Sequence, residues 1–234
     1  MRAAYGTLVS WSKRSTVKTF LSIGTGPGIG LATAERFARE SFQVILSARR
    51  ETKIRELASE LANKGHKVEI RAVDAGNPAS VAALVSQVES EFNGIDVLHF
   101  NAASMRKATL VEQPRGTING DLAVNIGGAM AAAQAVAPKM IARASGSILL
   151  TGGGYALHPH PDYLSLSVGK AGIRALAQGA FESFKAHGVH VATVTVAGSV
   201  NSVADAAAVA ERFWQLHAQP TDSWEVETIY TPVG

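Results

Sequence analysis

The hydrophobic pattern of the chain alternates between short apolar runs and longer amphipathic segments. The runs are rich in Val, Ile and Leu and seldom alternate with polar positions, which is typical of strands buried on both faces of a sheet. Seven runs predict strands, over Thr19–Ile23, Gln43–Ser47, Lys67–Ala72, Ile95–Phe100, Ser147–Thr151, Val189–Val196 and Val226–Tyr230. Six segments predict helices, over Ile29–Glu40, Thr52–Lys64, Pro78–Phe92, Thr117–Ala144, Tyr163–Ala186 and Ala204–Leu216.

This order of strands and helices predicts a doubly wound α/β fold, with a seven-stranded, mainly parallel sheet and helices on both faces. No linker rich in Pro, Gly and Ser divides the chain, so we expect a single domain over residues 19–234. Residues 1–18 are expected to form a flexible extension in front of it. In such a sheet a ligand binds outside the carboxyl ends of the strands, and functional residues are therefore expected just after each strand.

A glycine-rich turn follows the first predicted strand and opens the first predicted helix. It reads Gly-Thr-Gly-Pro-Gly-Ile-Gly over residues 24–30. Glycine lets the backbone approach a pyrophosphate without a Cβ in the way, and the helix N-terminus offers N–H groups to an anion. The spacing Gly-x3-Gly-x-Gly differs from the common G-x-G-x-x-G, but its strand–turn–helix context is that of a dinucleotide site in a Rossmann-type fold. We therefore expect cofactor contacts from Gly24, Gly28, Ile29 and Gly30.

The residues after the second and third strands favour one dinucleotide over another. An acid at the end of the second strand would bind the ribose 2′-hydroxyl of NAD, but Arg49 and Arg50 stand there instead. Two guanidiniums are suited to a 2′-phosphate, so NADP is expected and NAD is less favoured. Asp74, after the third strand, is placed to accept a hydrogen bond from the adenine amino group, or to serve as a turn residue before the next helix.

With these motifs, the chain resembles the short-chain dehydrogenase/reductase family over about residues 19–230. The family's glycine motif fits the turn, with Ile23 in place of its Thr, and its Asn-Asn-Ala-Gly segment is half matched at residues 100–103. The resemblance implies that Asn101, Gly198 and Val200 bind the cofactor, the last two in a Pro-Gly segment that has lost its Pro. It also implies that Asn125 holds a water linking the catalytic Lys to solvent.

The catalytic centre departs from the family pattern. The family signature is Tyr-x3-Lys with a Ser about 13 residues before the Tyr. Lys170 fits the Lys, but Leu166 stands at the Tyr position and the Ser position falls at Gly153. In the family the Tyr hydroxyl exchanges a proton with the substrate while hydride passes to or from the nicotinamide. Leu has no proton to give, so the resemblance implies an impaired reductase for plain carbonyls.

A substitute proton donor is sought among the hydroxyls near Lys170. Tyr163 lies seven residues earlier, on nearly the same helix face but about 10 Å along the axis rather than the usual 6 Å or so. It is a candidate catalytic residue with Lys170 and Asn125, and equally an aromatic residue that packs at a helix start. Other nearby hydroxyls belong to Thr151, Tyr155, Ser165 and Ser167.

A short segment rich in His and Pro lies before the same helix. In extended chain His158, His160 and Asp162 project to one side, an array that resembles a zinc or iron site. A loop beside a cofactor pocket is also an ordinary place for solvated His, and we assign no metal. A His that acts as acid or base toward the substrate is the alternative.

The composition of the chain excludes several kinds of chemistry and of binding partner. Of 234 residues 47% are hydrophobic and none is Cys, which excludes disulfides, thiolate metal sites and a Cys nucleophile, and makes a cytoplasmic location the expectation. The formal net charge is +3 without a basic cluster, so no nucleic acid is expected. No run of 18 apolar residues exists, so no membrane partner is expected. The acid-free extension over residues 1–18 also has a faint likeness to a transit peptide.

Two functional hypotheses remain open. The first is an NADP(H)-dependent oxidoreductase with an altered proton donor, acting on a small molecule that needs little proton assistance, such as an activated alkene or an imine. The alternative is an NADP(H)-binding sensor or regulatory subunit without redox chemistry. The resemblance also implies a homodimer or homotetramer through the Ala- and Gly-rich helices over residues 117–144 and 163–186, although small residues buried within one subunit would give the same pattern.

Overall fold

Seven parallel strands form one sheet, in the order β3-β2-β1-β4-β5-β6-β7. They are β1 (Thr19–Ile23), β2 (Gln43–Ala48), β3 (Val68–Ala72), β4 (Val97–Phe100), β5 (Gly146–Thr151), β6 (Val189–Val196) and β7 (Glu227–Tyr230). The structure is a computed structural model and describes residues 17–232. Strand order reverses between β1 and β4, which makes their carboxyl ends the switch point where ligands bind in such sheets. The predicted fold class is confirmed, and the predicted strand bounds agree to within about two residues.

Helices cover both faces of the sheet. They are α1 (Ile29–Arg39), α2 (Glu51–Asn63), α3 (Pro78–Glu91), α4 (Ile118–Leu122), α5 (Gly128–Ala142), α6 (Leu164–Lys185) and α7 (Val203–Ala218). Side chains of α1 and α7 pack on one face, and those of α3, α5 and α6 on the other. Within residues 17–232, no helix has both the length and the apolar character needed to cross a bilayer.

Alternation along the strands divides the core between these two layers. In β1, Leu21 and Ile23 join the layer of α3, α5 and α6, whereas Phe20 joins the layer of α1 and α7. All five residues of β1 are buried. Successive side chains point to opposite faces, so a central strand covered on both sides is mainly apolar, and in β1 only Thr19 and Ser22 are polar.

Two helix predictions differ from the structure in ways that affect the site. The helix predicted over residues 117–144 is divided into α4, a π-helical turn over Ala123–Gly127, and α5. A π turn adds one residue to a helical turn, which a hydrophobic pattern does not register, and such turns are frequent at functional sites. The helix predicted from Tyr163 begins at Leu164, and Tyr163 is its N-cap residue. The extension predicted over residues 1–18 lies, except for its last two residues, outside the described residues.

His99 is fully buried and His217 partly buried in the layer of α1 and α7. His217 of α7 lies 2.8 Å from the Ser147 hydroxyl through Nδ1, against the rings of Phe37 and Phe42. Burial lowers the pKa of His217 to about 4. His99 of β4 is fully buried, and burial, with a smaller contribution from the Lys170 charge, lowers its pKa to about 3. Both rings are therefore neutral in the folded protein at neutral pH.

We predict that acidification from pH 7 to pH 5 lowers the free energy of unfolding. The unfolded histidines take up protons below about pH 6.5, while the folded ones stay neutral until about pH 4 and pH 3. At pH 5 this linkage costs about 2 kcal/mol per histidine. Urea unfolding across this pH range measures it, and His217→Phe should remove about 2 kcal/mol of the change. A free energy of unfolding that is constant between pH 7 and pH 5 would show that these histidine rings are not held neutral in the folded protein.

Candidate active site

The glycine-rich turn is held between the ends of β1, β2 and β4. The N–H groups of Gly24 and Thr25 both donate to the Ser47 carbonyl at 2.9 Å. Gly24 has φ +86°, and a Cβ there would lie 2.3 Å from the Ala102 nitrogen, so both its conformation and its surroundings require glycine. The turn therefore lies directly against the segment that follows β4.

The turn leaves open space at the start of α1. A Cβ on Gly26 or Gly28 would meet no atom of the described residues within 4 Å, whereas one on Gly30 would lie 3.0 Å from the Thr25 Cα. Gly28 precedes the first residue of α1, Ile29, and no side chain caps the helix N-terminus. Open space bounded by glycine and by the N–H groups of a helix N-terminus without a side-chain cap fits the diphosphate of a dinucleotide.

A pocket of about 490 Å³ continues from the turn across the ends of β2 and β3. Its lining includes the predicted residues Arg49, Arg50 and Asp74. Lys53, which the sequence analysis did not identify, also lines the pocket. It lies one helical turn after Arg50, and this spacing is the sequence signal that could have identified it. None of these three cations forms an ion pair within the part of the chain that the structure describes.

Asp74 has a local structural role in this pocket. Its Oδ1 accepts a hydrogen bond from the Gly76 N–H at 3.0 Å, which closes a turn. The cap of α3 is Asn77, whose Oδ1 accepts from the N–H groups of Ala79 and Ser80. Asp74 is nevertheless exposed and lines the pocket, so a contact with the cofactor stays compatible with its turn role.

Asn101, predicted to bind the cofactor, joins β4 to the turn. Its N–H donates to the Ile23 carbonyl at 2.8 Å, and its side-chain amide donates to the Gly24 carbonyl at 3.0 Å. Its Oδ1 accepts from the Thr151 hydroxyl at 2.9 Å. The side chain is thus engaged by protein groups and holds the position of the turn.

The π turn brings Asn125 against α6. A Cβ on Gly169 would lie 2.3 Å from the Asn125 Cβ, and one on Gly172 2.9 Å from the Ile126 Cγ1. The Asn125 side chain exchanges two hydrogen bonds with the backbone of Ser104: Oδ1 accepts at 2.6 Å and Nδ2 donates at 3.1 Å. Asn125 therefore connects α6 with the segment that follows β4.

Asp121, which the sequence analysis did not identify, secures the same segment. It is buried and accepts hydrogen bonds from Ser104, Arg106 and Gln113, at 2.6, 2.7 and 3.0 Å. Burial alone would raise the pKa of Asp121, but the hydrogen bonds from Arg106 and Ser104 outweigh it and hold the pKa below its usual value. A charged carboxylate thus fixes the loop over Asn125.

Lys170 lies at the carboxyl end of β5. Its Nζ donates to the Thr151 carbonyl at 2.7 Å, and burial lowers its pKa to about 8. A Cβ on Gly153 would lie 3.3 Å from the Lys170 Cδ, so the stem of the Lys packs on this glycine. Leu166, one turn before Lys170, is 4% exposed. Neither position supplies a hydroxyl.

Tyr163 belongs to an aromatic cluster at the start of α6. The cluster consists of Tyr155, His160 and Tyr163, with 5.7 Å between the centroids of the stacked Tyr rings and 5.5 Å from His160 to each of them. Neither Tyr hydroxyl has a hydrogen-bond partner in the described part of the chain. This agrees with the packing role foreseen for Tyr163 and leaves its hydroxyl available.

The His-Pro segment is arranged around this cluster rather than around a common centre. His160 Nδ1 accepts from the backbone N–H of Asp162 at 3.1 Å, while its ring packs on the two tyrosines. His158 is exposed. Among residues 17–232, no three His, Asp or Glu side chains are grouped as metal ligands would be.

The segment after β6 closes the far end of the site. Gly198 has φ +154°, and a Cβ there would lie 2.9 Å from the Pro232 Cδ. Val200 packs against the layer of α1 and α7. Ser202 caps α7 in a reciprocal capping box with Asp205, so only a short stretch separates β6 from α7.

Comparison with known proteins identifies the family. Residues 18–211 match the short chain dehydrogenase family model, and the chain belongs to the short-chain dehydrogenase/reductase family. Oxidoreductase UcpA of Escherichia coli is 34% identical over 135 residues, 58% of this chain and 51% of UcpA. An uncharacterized oxidoreductase of Staphylococcus saprophyticus is 27% identical over 179 residues, 76% of each chain. The chain thus matches about half the length of UcpA.

Solved structures agree with this assignment. A short-chain dehydrogenase from Rhodopseudomonas palustris superimposes with a TM-score of 0.85 at 26% identity, over 92% of this chain and 99% of that one. A metagenomic short-chain oxidoreductase in complex with NADP gives 0.84 at 26% identity, over 92% and 97%. The family and the Rossmann-type fold predicted from the sequence are confirmed.

We predict that Gly169→Ala destabilises the protein by about 3 kcal/mol, because its Cβ overlaps that of Asn125 across the crossing between α6 and the π turn. Gly179→Ala is the matched control, since it lies in the same helix with no atom within 4 Å of its Cβ. There Ala should stabilise by about 0.5–1 kcal/mol. Chemical denaturation measures both, and equal effects at the two positions would contradict the close crossing.

Proposed function

We propose that this protein is an NADP(H)-dependent oxidoreductase with an altered proton donor, acting on a small-molecule substrate. The observation that carries the proposal is the group of three cations, Arg49, Arg50 and Lys53, around the pocket at the end of β2. Two carboxylates, Glu56 and Asp74, also line this pocket, but the end of β2 itself carries no acid. A 2′-phosphate matches this charge pattern better than a ribose 2′-hydroxyl.

The rest of the cofactor follows from the neighbouring groups. The open space at Gly26 and Gly28 and the N-terminus of α1, which begins with Ile29 and Gly30, would hold the diphosphate. Lys170 would hold the ribose hydroxyls on the nicotinamide side, together with the backbone of Gly198 and Val200. Asn125 keeps α6 and the loop after β4 in register with Lys170.

A bound nicotinamide supplies or accepts the hydride, and the chain must then handle one proton at the substrate. Lys170, whose pKa burial lowers to about 8, lies where its charge can stabilise a developing anion. Tyr163 is the proposed proton donor because its hydroxyl has no partner among the described residues. Without a Tyr at position 166, a substrate that needs little proton assistance, an activated alkene or an imine, is favoured over a plain ketone.

A second candidate function is favoured by one observation. Leu166 is 4% exposed, so the family's proton-donor position is filled by a buried apolar side chain. A protein that binds NADP(H) as a sensor or regulatory subunit needs no proton donor and would tolerate a Leu at this position. Tight NADPH binding with no NADPH oxidation on ketone, activated alkene and imine substrates would decide for this second function. Assembly as a homodimer or homotetramer through α5 and α6 is part of either proposal.

We predict that NADPH binds with a Kd in the micromolar range and NADH more weakly, and that Arg49→Ala narrows this gap about tenfold. The change removes a charge-assisted contact with the 2′-phosphate, which NADH lacks. Nicotinamide fluorescence measures both affinities. Arg55→Ala is the control, since Arg55 lies on α2 outside the pocket, where it pairs with Glu51. Equal affinities for the two cofactors in the wild-type protein would contradict the 2′-phosphate assignment.

We predict that Tyr163→Phe lowers kcat about 100-fold, because general acid catalysis typically contributes this much or more. Tyr155→Phe is the matched control, since it removes the other partnerless hydroxyl of the same stacked pair. Leu166→Tyr should raise turnover by no more than Tyr163→Phe lowers it. NADPH consumption with an activated alkene or imine gives the rates. Unchanged turnover in Tyr163→Phe would eliminate Tyr163 as the proton donor.

A further inference from the structure

A buried polar circuit runs beneath the proposed cofactor site, on the sheet face that α1 and α7 cover. His99 of β4 is fully buried between the rings of Phe213, at 4.7 Å, and Phe20, at 5.9 Å. Its Nε2 lies 3.1 Å from the Thr151 hydroxyl and its Nδ1 lies 3.5 Å from the Ser22 hydroxyl. A polar ring in an apolar layer is costly unless it is hydrogen-bonded, and His99 has a partner at each nitrogen.

The direction of every hydrogen bond follows from one end of the circuit. The Gly24 carbonyl can only accept, so the amide nitrogen of Asn101 donates to it and the amide oxygen accepts from Thr151. The Thr151 hydroxyl has thereby used its only hydrogen. Nε2 of His99 must then carry a proton and donate to Thr151.

The other nitrogen of His99 leads back to the same turn. With the proton on Nε2, Nδ1 is an acceptor for the Ser22 hydroxyl. Ser22 in turn accepts from the Thr25 hydroxyl at 3.0 Å. Thr25 is the neighbour of Gly24 in the glycine-rich turn, so the hydrogen bonds run in one sense around a closed loop. Groups linked in this way polarise one another, and removing one member weakens the others.

The circuit also reaches Lys170. Thr151, whose hydroxyl belongs to the circuit, offers its carbonyl to Lys170 Nζ at 2.7 Å. His99 therefore acts on two parts of the site through Thr151: on the turn by way of Asn101, and on the anchor of Lys170. In the proposed site the turn would hold the diphosphate at the centre of the dinucleotide, and Lys170 would hold the ribose at its nicotinamide end.

We propose that His99 is a positioning residue that, through Thr151 and Asn101, holds the glycine-rich turn and the anchor of Lys170 in the geometry that receives NADP(H). The inference rests on the proposed cofactor. It adds a coupling between the groups that would hold the diphosphate and those at the nicotinamide end of the site. Neither the glycine motif nor the family's Tyr-x3-Lys motif includes His99.

The first test is the tautomer of His99 in the wild-type protein. In ¹⁵N-histidine-labelled protein, long-range nitrogen–proton correlation spectra should show a proton on Nε2 and none on Nδ1 between pH 6 and pH 8. A proton on Nδ1 would reverse the hydrogen bond to Thr151 and overturn the circuit. This measurement requires neither cofactor nor substrate.

The second test compares NADPH affinity in two variants. His99→Phe keeps the ring volume but removes both nitrogens, and we expect the Kd for NADPH to rise about tenfold. His217→Phe is the matched control, because His217 is a partly buried histidine of the same layer and loses a hydroxyl partner, Ser147, remote from the turn. Its Kd should change by less than about twofold. Equal Kd values in the two variants would overturn the positioning role.

A pair of changes at Thr151 tests the same role without altering the His. Thr151→Ser keeps the hydroxyl and should bind NADPH as the wild type does, whereas Thr151→Val should raise the Kd about as much as His99→Phe. The Kd of the double variant His99→Phe/Thr151→Val for NADPH should be no higher than that of either single variant. An equal loss of NADPH affinity in Thr151→Ser and Thr151→Val would contradict the proposal. Wild-type protein that binds no NADPH would instead contradict the proposed function, whatever the tautomer.

Discussion

The contact between Gly24 and Ala102 is the constraint on which the site depends. It joins the turn after β1 to the segment after β4, the two strands between which the strand order reverses. Because no side chain separates the two backbones, Asn101 reaches the Gly24 carbonyl directly. The turn is thereby fixed on one side by β4 and on the other by the Ser47 carbonyl of β2. The open space at the start of α1 is what remains between these attachments.

The two halves of the site differ in electrostatic character, and the difference follows from burial. Arg49 and Arg50 are exposed and line an open pocket. Lys170 is partly buried, and burial lowers its pKa to about 8, so that its charge depends on pH near neutrality. One end of the site therefore provides two guanidinium groups in contact with water. The other provides an ammonium group that a bound anion or a developing negative charge would stabilise further.

The fold could be predicted from the sequence almost completely, because burial on both faces makes parallel strands mainly apolar runs. The glycine turn and the arginines could be located for a related reason: each comes directly after a strand. The π turn at Asn125 could not be predicted, because it packs against Gly169, which is distant in the chain. His99 was missed because a polar residue within an apolar run looks like an exception, and its partners lie on two other strands.

Gly153 and Leu166, which the sequence analysis aligned with the family's Ser and Tyr, belong to one structural arrangement around Lys170. Gly153 lets the stem of Lys170 pack against the backbone, and a side chain there would displace it by a few tenths of an ångström. Lys170 then reaches the Thr151 carbonyl, two residues earlier on β5. Leu166, one turn before Lys170, is buried. Introducing a Tyr at 166 alone would leave Lys170 on its present anchor, because that anchor belongs to β5 and to the buried polar groups behind it.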